Sequence, residues 1–260
     1  MLKQMTMDEY QAAPGISKSG LDQIAKSPAH YQVWLREKPE PSKAMVFGSA
    51  LHCALLEPEL FSEQYTVAPE VDKRTTKGKA EFAEWEQANQ GKVALTSAEY
   101  SRLLAMQDAF RSHALVSGVL KEAFIERAAF WTDEETGVQC KSRPDIVTSG
   151  LILDVKTTED ARKRAFESSA WNFRYHVQAG MYLHGVSQVT KQKHDEFLFI
   201  AIEKTAPFAI SVFQADSTMV GQGQETMRAN LRTYAECVAS GQWPSYPDRV
   251  QKLSLPTWAY

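Results

Sequence analysis

Residues 144–156, PDIVTSGLILDVK, hold two carboxylates and an ammonium group among apolar side chains. Ser149 and Gly150 stand between two β-rich runs and suit a two-residue hairpin turn. That turn sets a register in which Asp145 faces Asp154 directly, with Cβ atoms roughly 4.5–5.5 Å apart. Lys156, two residues further along the strand, shares the face of Asp154 because strand side chains alternate. Like charges opposed in a partly buried sheet repel, raising one pKa or destabilising the fold unless a cation lies between them. All-oxygen ligation with room for water suits Mg²⁺ or Mn²⁺ better than zinc, which favours His and Cys. A lysine beside such a site can orient a water and neutralise charge developing on a phosphoryl oxygen, which points to phosphodiester hydrolysis. The plainer alternative is a surface ion pair, worth less than about 1 kcal/mol. Against it, Asp154 to Lys156 is the one D/E-x-K in the chain. The flanking residues of LILDVKTT also imply burial, where idle charge pairs are uncommon.

The surrounding chain must supply a sheet and the helices that cover it. GISKSGLDQIAKSP offers Ser17 or Ser19 as an N-cap and stops before Pro28, and PAHYQVWLREKP continues as a second helix. MVFGSALHCALLEP is an apolar helix too short to cross a membrane, closed by Pro58. KAEFAEWEQANQ and SAEYSRLLAMQDAFRSHA follow with helical spacing, the second with Ser97 and Glu99 near its start. The pattern changes near residue 123. FIERAAFWTDEETGVQCKSRPDIVTSGLILDVKTT alternates β-rich runs with DEETG and TSG, which predicts a meander of three strands. DARKRAFESSAWN and FRYHVQAGMYLHGV read as helices, DEFLFIAIEK and FAISVFQ as paired strands split at Pro207, and DSTMVGQGQETMRANLRTYAECVASG as a long last helix. The tail QWPSYPDRVQKLSLPTWAY is Pro-rich and aromatic, hence extended and packed on the body or on a partner. This order predicts one mixed α/β domain over 1–260, mainly helical at 1–122 and with a sheet-containing core at 123–260.

At 260 residues, 43% hydrophobic and 23% charged, the chain can bury a core and falls among folded rather than disordered proteins. No run approaches the roughly 18 apolar residues of a membrane span, and the N-terminus lacks a signal peptide's apolar stretch, so the expected location is cytoplasmic. Cys53, Cys140 and Cys237 are scattered and odd in number, which indicates neither a disulfide framework nor a CxxC metal site. A net charge of −3 argues against a surface coated for phosphate binding, so nucleic-acid contact must be local. The candidate basic clusters are Lys73, Arg74, Lys77 and Lys79 in VDKRTTKGK, Arg162, Lys163 and Arg164 in ARKRAFE, and Lys191 with Lys193 in KQKH. Any one of them alone is also what an ordinary solvated loop contains.

Pro144-Asp145 followed by Asp154-Val155-Lys156 resembles the PD-(D/E)xK signature of a nuclease superfamily. Gly48-Ser-Ala-Leu-His52 and Gln178-Ala-Gly-Met-Tyr182 are similar to two further motifs of its branch containing the RecB nuclease domain and the lambda-type and RecE-type exonucleases. Similarity to RecE-type nuclease domains extends through GISKSGLDQIAKSPAHYQVW, FGSALHCALLEP, KRTTKGK and YHVQAGMYL, over nearly all of the chain. The resemblance implies a restriction-endonuclease-like α/β core with a mixed sheet and a helical N-terminal part. It implies Mg²⁺, for which Mn²⁺ substitutes, held by His52, Asp145, Asp154 and the Val155 carbonyl, with Lys156 positioning the attacking water and Gln178 and Tyr182 completing the catalytic set. It further implies a 5′-to-3′ exonuclease on linear double-stranded DNA that releases mononucleotides and leaves 3′ single-stranded tails for recombination. A RecT-type annealing partner, a ring homotetramer, a prophage origin and a chain cut from a longer protein are implied in the same way.

Apart from the resemblance, a lone histidine in an apolar helix is more often a satisfied core residue, although Ser49 and His52 share that helix's less apolar stripe. Gln178 and Tyr182 lie on one helical face, where they also fit as a polar interruption of the aromatic stripe continued by Trp171 and Tyr175. Two alternatives stand beside the exonuclease: a metal-dependent endonuclease of the same superfamily, and a non-catalytic DNA-binding or assembly module. Iron–sulfur members are excluded because three scattered cysteines cannot supply four ligands.

Overall fold

Side-chain caps set several of the helix starts in the first half of the chain. The computed structural model describes residues 1–37, 40–120 and 123–255. α1 (Met7–Ala12) begins with a capping box between Thr6 and Glu9, α2 (Lys18–Lys26) is capped by Ser17 rather than Ser19, and α3 (Pro28–Glu37) starts on proline, whose missing N–H would be unpaired there anyway. α4 (Lys43–Leu56) is capped by Ser42 and buries Phe47, Ala50, Leu51 and the stretch from Cys53 to Leu56. α5 (Pro58–Gln64) leads into β1 (Tyr65–Val67), which pairs in parallel with β2 (Val93–Leu95) across α6 (Thr76–Ala88). α7 (Ser97–Ser112) takes its cap from Thr96, in a capping box with Glu99, so the expected Ser97 lies inside the helix. α8 (Ala114–Val119) follows. α1, α5, α8 and the β1–β2 pair go beyond the sequence expectation, since segments this short carry little periodicity.

The predicted meander of three strands is instead five strands shared between two sheets. They are β3 (Phe124–Ile125), β4 (Ala129–Thr132), β5 (Gln139–Ser142), β6 (Ile146–Val147) and β7 (Leu151–Thr158). β4 and β5 pair with each other, whereas β3, β6 and β7 enter the main sheet. One break falls at Glu126, which takes a left-handed backbone with φ +50°. The chain then crosses over through α9 (Lys163–Asn172) and α10 (Tyr175–Thr190), and β8 (Glu196–Glu203) returns parallel to β7, as a long helical crossover permits. β9 (Ile210–Gln214) adds antiparallel to β8, giving the order β3-β6-β7-β8-β9, and α11 (Ser217–Ser240) ends the regular structure.

Alternation along β7 divides its side chains between two cores. Ile152 packs with Val177, Phe197 and Phe199 in the core that includes residues of α10 and α11, whereas Leu153 and Val155 pack with Leu51, Met106 and Ile200 in the core that includes residues of α4 and α7. Asp154 and Lys156 therefore share the α10 face. α10 lies very close to α11: a Cβ at Gly180 would come within 2.6 Å of the Gln224 nitrogen, and one at Gly223 within 1.8 Å of the His176 carbonyl oxygen.

The tail carries no helix or strand in its described part. Trp243 stacks on Tyr31 at 5.7 Å, while Val250 and Leu253 are fully exposed. The expectation of packing for residues 256–260 lies outside the described residues. No described helix is long and apolar enough to cross a membrane.

Candidate active site

The hairpin that carries the signature closes on Ser149 and Gly150. The Thr148 N–H donates to the Leu151 carbonyl at 2.9 Å, and Gly150 takes φ +86°, a conformation that costs glycine little. Ile146 pairs with Leu153 and Val147 with Ile152, so the register extended by one residue sets Asp145 opposite Asp154. Both aspartates are buried, and Asp154 is only 1% exposed. Their carboxylates do not simply oppose each other. Asp145 Oδ2 accepts from the Val155 N–H at 2.7 Å, while Asp154 Oδ1 accepts from Gln178 Nε2 at 2.5 Å.

Lys156 Nζ lies 2.5 Å from Asp154 Oδ2, with its side chain 19% exposed. That approach is a tight ion pair, and Lys156 is the partner of Asp154 Oδ2 among the described residues. Burial pushes Asp154 up to about 6, and Asp145 adds to the rise while Lys156 opposes it. Burial pulls Lys156 down, but the carboxylates of Asp154 and Asp145 outweigh it and the net direction is up. The ammonium also sits over the Tyr175 ring, 4.9 Å from its centroid, a cation–π contact that fixes its direction.

A third acid joins the site. Pairing of β3 with β6 carries Glu126 alongside Asp145, whose carbonyl accepts from the Glu126 N–H at 2.9 Å. His52 reaches in from α4, with Nδ1 3.4 Å from Asp145 Oδ2. One ligand atom each from His52, Glu126 and Asp145 can lie within 4.8 Å of one another. Burial and the neighbouring Asp145 push Glu126 up to about 9, despite the Arg143 guanidinium. Arg143 Nη1 donates to Glu126 Oε2 at 2.5 Å, and Nη2 to Glu57 Oε2 at 3.4 Å, so the arginine orients the acid from behind. Glu126 has no spacing relation to the signature. Its one sequence signal is an acid set among apolar residues in AFIERAAF, which also fits an ordinary turn.

These donors fit a divalent cation. One imidazole nitrogen and crowded carboxylate oxygens suit Mg²⁺ or Mn²⁺, and buried acids held above their usual range lack the positive charge that would let them ionise together. Of the four ligands expected from the resemblance, His52 and Asp145 belong to this cluster. Asp154 lies beside it, shared between Lys156 and Gln178, and the Val155 N–H serves Asp145. Gln178, expected in the catalytic set, reaches the neighbouring strand and donates to Asp154. Tyr182 follows it on α10, where burial pushes the phenol well above its ordinary value.

The basic clusters are exposed and differ in how their charge is held. Arg74 is paired with Asp72 at 3.0 Å and Arg162 with Asp160 at 2.6 Å. Lys73 Nζ sits over the Phe82 ring, and Lys163 is 3.9 Å from Glu167. Lys193 pairs with Asp195. Lys77 and Lys79 project from the first turns of α6 and Arg164 from α9, with no ion-pair partner for these three among the described residues.

Residues 17–256 match the family of PDDEXK-like domains of unknown function, DUF3799. Among solved structures, the chain is similar to a protein from Eubacterium rectale called "putative exonuclease", with a TM-score of 0.66 and 15% identity over 99% of this chain and 98% of that one. It is also similar to a phage-related exonuclease from Haemophilus somnus 129PT, with a TM-score of 0.36 and 14% identity over 90% of this chain and 100% of that one. No curated protein matches the chain.

Proposed function

The chain belongs to the PDDEXK-like domain family DUF3799, and from that premise we propose that it is a divalent-metal-dependent nuclease, more narrowly a Mg²⁺-dependent 5′-to-3′ exodeoxyribonuclease on linear double-stranded DNA. The observation that carries the nuclease reading is the convergence of His52, Glu126 and Asp145 beside the buried Asp154–Lys156 pair. A bound divalent cation would supply Lewis-acid charge neutralisation at the scissile phosphate. His52, Asp145 and Glu126 would hold that cation, and Asp154 would join them through Oδ2, the oxygen it also presents to Lys156. Lys156, steered by Asp154 and the Tyr175 ring, is placed to orient a water and to meet negative charge on a phosphoryl oxygen. Gln178 fixes the rotamer of Asp154, and Tyr182 lies one turn further along the same helical face.

The narrower points rest on likeness. The exonuclease name of the Eubacterium rectale protein, whose fold this chain shares, agrees with the RecE-type motifs. Release of mononucleotides, 3′ tails for recombination, a RecT-type annealing partner and a ring homotetramer come from the same resemblance. The cations Lys73, Arg74, Lys77, Lys79, Arg162, Lys163 and Arg164 are the proposed DNA contacts.

Digestion of 5′- and 3′-end-labelled linear duplex, with Mg²⁺ and with EDTA, tests cofactor, class and direction together. Mononucleotides from the 5′ strand are expected with Mg²⁺ alone, and Asp154→Ala or Lys156→Ala is expected to reduce the rate at least about 100-fold. Near-wild-type activity in either variant would sink the mechanism. Cleavage of covalently closed circles would make the enzyme an endonuclease.

A further inference from the structure

Resting on the nuclease reading and deepening it, we propose that Trp171 and Phe173 form a stacking platform for a nucleobase of the substrate strand, adjoining the lysine of the active site. Both rings are unusually open for large aromatics, Trp171 at 70% exposed and Phe173 at 62%. Neither hangs free. Trp171 stacks on the buried His176 at 5.4 Å with the planes 14° apart, and Phe173 on Tyr175 at 5.8 Å and 25°. Tyr175 in turn carries Lys156 Nζ over its ring at 4.9 Å. Phe173 and Tyr175 therefore make a path of rings from the surface to the Lys156 ammonium group, and Trp171, two residues before Phe173, is held by its own stack on His176.

The backbone that presents the two rings is held under strain. Arg174, between Phe173 and Tyr175, adopts a left-handed conformation with φ +55° that a non-glycine residue keeps only where its surroundings enforce it. Lys18 Nζ enforces it by donating to the Phe173 carbonyl at 2.7 Å, and Arg174 Nε lies 3.2 Å from Asp22 Oδ1. Arg174 is also the N-cap of α10, so the turn that joins α9 to α10 fixes where both aromatics are presented.

The occupant follows from the neighbours. Lys18 and Arg174 share the one carboxylate of Asp22 at the surface turn, which leaves positive charge beside Phe173, and Lys156 with its partner Asp154 lies beyond Tyr175. Flat aromatic faces beside cations are the combination that binds single-stranded nucleic acid, bases on the rings and phosphates on the charges. A base seated here would bring its strand's phosphates toward Lys156.

The test is binding of a labelled oligothymidylate and of an abasic oligomer of the same length to the full chain, by fluorescence anisotropy in EDTA so that no cleavage occurs. Wild type is expected to prefer the base-bearing strand by at least about 5-fold, the low end of one base–aromatic stack. Trp171→Ala and Phe173→Ala are each expected to lose most of that preference, and sedimentation should show their oligomeric state unchanged. Equal binding of both oligomers by wild type, no binding, or undiminished preference in both variants would overturn the proposal. So would dissociation of an oligomer on Trp171→Ala, which would make this face a contact between copies. Because the measurement needs no hydrolysis, its failure leaves the digestion result standing, and failed digestion leaves the platform testable.

Discussion

Glu126 separates the site that folding builds from the one its motifs describe. Its carboxyl is 7% exposed, held by Arg143, and grouped with His52 and Asp145. A carboxyl pushed up to about 9 by burial and by Asp145 must give up its proton to hold a cation, so metal binding here releases a proton and tightens as pH rises. Glu126→Gln keeps the shape and hydrogen-bonding reach while removing the charge. Titration calorimetry with Mn²⁺ should show affinity at least about 10-fold weaker in this variant. Unchanged affinity would remove Glu126 from the site. His52 came to notice through its motif, and the 3.4 Å approach of its Nδ1 to Asp145 shows it facing the acids rather than satisfied in the core of α4.

At the scale of elements, α10 positions Gln178 and Tyr182 and, through its first residue Tyr175, the lysine. What fixes α10 is its close contact with α11, where Gly223 leaves no room for a Cβ beside the His176 backbone. Gly223→Ala must push the helices apart at backbone atoms, and overpacking of that kind costs about 1–3 kcal/mol. Gly48 makes the opposite case. It lies one turn before His52 in α4, and a Cβ there meets nothing within 4 Å. Gly48→Ala should stabilise the protein by about 0.5–1 kcal/mol through helix propensity alone. Urea denaturation of both variants checks the pair, and destabilisation by Gly48→Ala would mean that the open space beside the site is not open in solution.

For the whole molecule, a net charge of −3 requires any DNA-binding surface to be concentrated. The basic clusters are not equal in this respect, because Arg74 and Arg162 are already tied to Asp72 and Asp160. Lys77 and Lys79 have no such partners among the described residues and release more counterions on meeting phosphate. The double variant Lys77→Ala, Lys79→Ala should flatten the dependence of log affinity on log salt by about 1–2, whereas Arg162→Ala should change it by less. Binding to duplex DNA across a salt series measures the slopes, and equal effects would show that the local pairs do not hold back charge. A ring assembly with cations lining a channel remains compatible with the acidic total.

The hairpin, its register and the facing of Asp145 and Asp154 were legible in residues 144–156, because a two-residue turn and strand alternation are local rules. The cap at Ser17, one of two candidates, and the strands β7, β8 and β9 were legible for the same reason, whereas α7 is capped by Thr96 rather than Ser97. The division of residues 124–158 between two sheets was not, since which short strand pairs with which depends on partners distant in sequence. Glu126 enters the site through the β3–β6 pairing. Gln178 meets Asp154 because two glycines let α10 and α11 close together beside β7. Sequence alone determined which residue types could hold a metal and meet a phosphate. Tertiary structure decided which of them converge, because convergence depends on side chains that share no period and no segment.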